Sequence, residues 1–79
     1  MPFSPEIVEE INLLAQFNLS STQEGLKVHQ HSAAPAAVAA AARLHSKRLV
    51  TQKDGGYLTS LGIEAAEHAH KLLTILAND

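Results

Sequence analysis

Residues 44–62, LHSKRLVTQKDGGYLTSLG, constrain the fold more than any other part of the chain. They read as a helix end, a short strand at 49–52, a tight turn at 53–56, a return strand at 57–59 and the start of another helix. Asp54-Gly55 supplies the positive-φ position that a tight hairpin needs. The run from Pro35 to Lys47 is the best intrinsic helix former in the sequence, and Thr59 or Ser60 can cap a last helix reaching about Leu76. A hairpin is therefore expected between two helices.

The same stretch lies within nearly all the positive charge. Lys27, Arg43, Lys47, Arg48 and Lys53 are five of the six basic residues, and no Asp or Glu occurs between Gly25 and Lys53. The residues before and after are acidic, so the net charge of −2 hides a dipolar layout. A basic patch beside a helix and hairpin is what a small nucleic-acid-binding module requires.

The remaining helices follow from spacing and caps. Ser4-Pro5-Glu6 resembles a helix start, with Ile7, Ile11, Leu14 and Phe17 at helical spacing, Val8 and Leu13 widening the stripe, and Asn18 as the cap. Ser20 or Ser21 can cap a second helix to about His29, with Ser21 and Glu24 as a capping box and Leu26 and Val28 inward. On the third helix, from Pro35, the expected inner face is Val38, Ala41, Leu44 and His45. Its outer face is Ala36, Ala39, Ala40, Arg43 and Lys47. On the last helix, Leu61, Ala65, His68, Leu72 and Leu76 form one stripe, with Ile63, Ala66, Ala69 and Leu73 beside it. Tyr57 is read as a core residue at the hairpin base.

Seventy-nine residues make one domain, 1–79, with a modest core. The 46% hydrophobic content is too high for a disordered chain, although thirteen alanines contribute little buried area. Without cysteine there are no disulfides and no thiolate metal site. The acidic amino terminus lacks a signal-peptide core, and the longest apolar run, 36–42, is too short to cross a bilayer, so a cytoplasmic protein is expected.

The order helix, helix, helix, hairpin, helix resembles the winged helix-turn-helix superfamily. Leu44, Leu49-Val50 and Leu58-Thr59-Ser60-Leu61-Gly62 resemble its recognition-helix end, the step into the wing and the following Leu-Thr-x-x-Gly. Over its full length, especially TQEGLKVH, SAAP and DGGYLT, the chain is similar to a small uncharacterised gammaproteobacterial family with a suggested DNA-binding role. The resemblance implies a mainly α fold with three helices, a two-stranded wing and a C-terminal helix. It also implies a bacterial, regulatory, duplex-DNA-binding role. The third helix would enter the major groove, with Arg43, Ser46 and Lys47 facing DNA and Lys53 at the wing tip on a phosphate. Ser32 and the helix amino end would receive another phosphate, and Lys27 and Arg48 would add charge at the rim. The family usually has glycine where Arg48 stands, so a different cap or an outlying backbone angle is expected there. A Lys47→Glu change is expected to abolish binding and leave the fold intact.

Other functions are weaker on the residues. No nucleophile sits in an activating motif and no phosphate-binding glycine loop is present, so no enzyme and no cofactor is expected. His29 and His31, like His68 and His70, are two apart, which on a helix sets the rings on nearly opposite sides, so no metal site is assigned. The competing role is a protein-interaction or dimerisation module. It would use the alanine face of the third helix, where Ala40→Arg would disrupt association, or the apolar C-terminal helix.

Overall fold

The computed structural model describes residues 2–20, 25–28 and 34–78, and of Lys27 the backbone. The element order is α1 (Pro5–Ala15), β1 (Leu26–Lys27), α2 (Pro35–Ser46), β2 (Val50–Gln52), β3 (Gly55–Leu58) and α3 (Ser60–Ala77). The described part is mainly helical, and its antiparallel β2–β3 hairpin between α2 and α3 is compatible with a winged-helix-like layout. No helix among the described residues is long and apolar enough to cross a membrane.

Local chemistry sets the helix starts. Ser4 Oγ accepts from the Ile7 N–H at 3.2 Å, and Pro5 follows where a missing N–H costs nothing. Helix α1 ends at Ala15 with Gln16 as its cap. Asn18, expected to cap, instead accepts from the backbone N–H and hydroxyl of Ser20 at 3.0 and 2.6 Å, which commits Ser20 to a turn. The proposed Ser21–Glu24 capping box lies outside the described residues.

The second expected helix does not reach its predicted end. Leu26 and Lys27 are strand, pairing with Gly56 and Gly55 of β3, and the Val28 N–H donates to the Asp54 carbonyl at 2.7 Å. The open edge of β3 has backbone groups that need partners, and this pairing outweighs the helical tendency of the segment. Gly25 permits it, since a Cβ there would lie 2.8 Å from the Gly56 carbonyl oxygen. The sheet order is β1-β3-β2.

Leu13, Leu14, Phe17, Val28, Ala40, Ala41, Leu44, Val50, Ala66 and Ala69 form the core. Three expected faces are rotated relative to it. On α1 the buried row is Glu10, Leu13, Leu14 and on to Phe17, whereas Ile7 and Val8 are exposed. On α2, Ala40 is fully buried and His45 exposed, the reverse of their expected sides, because α1 and the hairpin close over Ala40, Ala41 and Leu44. On α3 the body-facing row is Gly62, Ala66 and Ala69, while Leu61, His68, Leu72 and Leu76 are exposed. Glycine takes this row at 62 because α3 closes on the Leu49 carbonyl oxygen there and leaves no room for a Cβ. Tyr57 is also exposed, beside a shallow groove with Gly25, Leu26, Gln52 and Gly56.

The junction of hairpin and helices is tightly bonded. The Thr59 N–H donates to the Leu49 carbonyl at 3.0 Å, and the Thr59 hydroxyl donates to the Arg48 carbonyl at 2.7 Å. The same hydroxyl oxygen accepts from the Gly62 N–H at 3.0 Å, capping α3. A Cβ on Gly62 would lie 1.9 Å from the Leu49 carbonyl oxygen. Arg48 has φ 66, the outlying angle anticipated from the missing glycine.

Two stability outcomes follow. Gly62→Ala should cost about 3 kcal/mol or more, because a backbone oxygen cannot move aside cheaply. Arg48→Gly should relieve the left-handed residue, adding about 1 kcal/mol and raising Tm by about 5 °C. Thermal denaturation followed by circular dichroism reads both; a neutral Gly62→Ala would contradict the packing described.

Candidate nucleic-acid interface

The C-terminal half of α2, the residues that follow it and the β-sheet hold the expected cations in three different situations. Arg43 and Lys47, four residues apart, converge on one carboxylate. Arg43 Nε donates to Glu10 Oε2 at 2.9 Å, and its Nη2 donates to the Glu6 carbonyl at 3.0 Å. The Lys47 ammonium pairs with Glu10 Oε1. Glu10 is only 5% exposed, whereas the Arg43 and Lys47 side chains remain 33% and 51% exposed. Burial pushes the Glu10 carboxyl up, but hydrogen bonds from Lys47 and Arg43, with their charges, outweigh it and hold the carboxyl below its usual value.

Arg48 and Lys53 are exposed and make no ion pair among the described residues. Arg48 follows Lys47, the C-cap of α2, and Lys53 stands in the turn between β2 and β3. Ser46 is exposed on the last turn of α2. Lys27 lies on β1, the outer strand of the sheet, by its backbone. Ser32, His29 and His31 lie outside the described residues.

The hairpin that presents Lys53 is shaped by two glycines and a threonine. Val50 pairs with Leu58 and Gln52 with Gly55, so the register slips by one residue between them. The Tyr57 N–H is taken up by the Thr51 hydroxyl oxygen at 3.0 Å. Gly55 and Gly56 have φ 120 and 75, and a Cβ on Gly56 would meet Thr51 Oγ1 at 2.6 Å.

Two expectations about the alanine-rich helix change with this geometry. Ala40 and Ala41 belong to the core, so only Ala36 and Ala39 among its alanines are well exposed. Ala40→Arg would thus break the fold rather than probe an outer surface. Lys47→Glu would set a second carboxylate beside buried Glu10, so it would cost stability as well as charge and would not probe binding alone. The residue missed by sequence reasoning is Glu10. Its signal was its spacing, since it shares the i, i+3, i+4, i+7 row with Leu13, Leu14 and Phe17.

Elsewhere, His70 Nε2 lies 3.1 Å from the Phe17 carbonyl oxygen, tying α3 to the end of α1. No group of three or more His, Cys, Asp or Glu among the described residues is arranged to hold a metal ion.

Glu10→Gln tests the charge cluster. A carboxyl whose folded pKa is lowered contributes stability that is present above its unfolded value, near 4.5, and lost as pH falls through the folded value. The variant should be less stable than the parent by about 1 kcal/mol at neutral pH, a modest figure because both cations are partly solvated. The gap should close below about pH 4.5 in denaturant titrations across pH. A gap that persists unchanged at acid pH would show that the charge is not its source.

Residues 1–77 match the model of a family of unknown function, DUF5669, and the chain belongs to that family. No curated protein and no solved structure matches it.

Proposed function

We propose that this member of DUF5669 is a winged helix-turn-helix protein that binds duplex DNA without enzymatic chemistry, in a regulatory role, through the C-terminal half of α2 and the hairpin wing. The observation that carries the reading is the run of basic residues, each at least partly exposed, that follow one another from α2 through its junction into the hairpin. Arg43 on α2 and Lys47 at its C-cap lead to Arg48 at the junction and Lys53 at the wing tip. These cations suit phosphates; Ser46, Arg43 and Lys47 are the side chains available to base edges. Lys27 and Ser32 are the further candidates that the winged-helix resemblance implies, for rim charge and a phosphate contact.

Glu10 tempers this face. It cancels one of the two charges it holds, so the path offers about three net positive charges, plus Lys27. Contact of this kind is sequence-tolerant and weak, in the range of about 10⁻⁴ to 10⁻⁶ M at physiological salt. The predominance of alanine over hydrogen-bonding residues on the open side of α2 favours the same conclusion, because alanine offers a base edge only a methyl contact.

Fluorescence anisotropy with a labelled generic duplex at low salt tests the reading. Lys53→Glu and Arg48→Glu should each weaken binding about threefold or more, and log Kd against log salt should have a slope near 3 in magnitude. Glu10→Gln should strengthen binding, since it removes a negative charge and releases Arg43 and Lys47 toward phosphate. No binding at low salt by a folded protein, or binding indifferent to Lys53→Glu and Arg48→Glu, would overturn it.

A further inference from the structure

We infer that α3 is a self-association surface, on which a second copy of this chain docks its own α3 antiparallel. The argument does not depend on DNA contact.

The helix carries two apolar rows of different fate. Gly62, Ala66 and Ala69 face the body. The adjoining row, Leu61, Ala65, His68, Leu72 and Ile75, advances in alternating steps of four and three residues, the period that keeps one seam turned toward a neighbouring helix. Ala65 is half-buried, but Leu61, Leu72 and Ile75 are 53%, 45% and 63% exposed. The last two turns have no covering element among the described residues, since Leu73 and Leu76 are exposed as well. Exposed apolar side chains aligned in one row along a helix mark a contact surface.

Charge selects the occupant and its direction. Glu64 and Lys71 stand seven residues apart, each one position before a seam residue, and both are exposed. Neither makes an ion pair among the described residues. In an antiparallel pair this flank faces its own copy reversed, so Glu64 meets the second copy's Lys71 and Lys71 meets the second copy's Glu64. The same register stacks Leu61 on the second copy's Leu72 and Ala65 on the second copy's His68. A parallel pair would bring Glu64 to the second copy's Ala69 and form neither ion pair. The surface is thus complementary to itself under a two-fold axis, as a closed homodimer requires.

Sedimentation of the full chain over a micromolar concentration series at neutral pH tests this. The parent should pass from monomer to dimer. Leu72→Arg should remain monomeric with unchanged helical circular dichroism, because Leu72 is outside the core. Lys71→Glu and Glu64→Lys should each raise the dimer Kd about threefold to tenfold, and the double variant should return close to the parent, since the reversed charges still match. A parent that stays monomeric throughout, a dimeric Leu72→Arg, or a double variant no better than the single ones would overturn the assignment.

Discussion

The carbonyl groups of Arg48 and Leu49 hold the structure in register. Arg48 turns the chain out of α2 at φ 66, and Thr59 then binds both carbonyls, one with its hydroxyl and one with its N–H. Gly62 lets α3 settle on the Leu49 oxygen with no Cβ between them. Three elements meet within this one knot of backbone: the end of α2, the base of the hairpin and the first turn of α3. The direction of the hairpin relative to α2 follows from it. The Leu-Thr-x-x-Gly pattern at 58–62 has a mechanical reason here: threonine serves as a two-sided cap and glycine as a contact point.

A second constraint is electrostatic. Glu10 is buried against α2 and draws Arg43 and Lys47 toward α1. The pairing helps fasten the two helices, and it also lowers the positive potential of the outer face. In the proposed DNA-binding role, stability and affinity would therefore be opposed at one carboxylate. Arg48 and Lys53 make no such pair among the described residues, so in the proposed role they would carry the larger share of any electrostatic contact.

Much of this was legible in the sequence. Ser4-Pro5 and Thr59 announced two helix starts, Asp-Gly-Gly announced the turn, and the absence of glycine at 48 announced a strained angle. What was not legible depended on distance. Leu26-Lys27 follow Ser-Ser-Thr-Gln-Glu, a helical opening by local rules, yet a strand forms because β3 offers an edge that is remote in sequence. On α3 the leucine stripe points to an inward face, yet Gly62, Ala66 and Ala69 face the body, Gly62 directly against the Leu49 carbonyl, and Leu61, Leu72 and Leu76 are turned out. Among the site residues, Ser46, Arg48 and Lys53 stand on the surface as anticipated, and Arg43 and Lys47 are held by a glutamate whose burial no local pattern but its helical row could suggest.

The most direct test of the central claim is an amide NMR titration of the labelled protein with generic duplex DNA at low and then moderate salt. Binding by the proposed face predicts shifts concentrated between residues 43 and 57, on the end of α2, the junction and the wing, fading as salt rises. A spectrum unmoved at low salt, or shifts confined to α1 and α3, would contradict it and leave the basic path as a solvated surface.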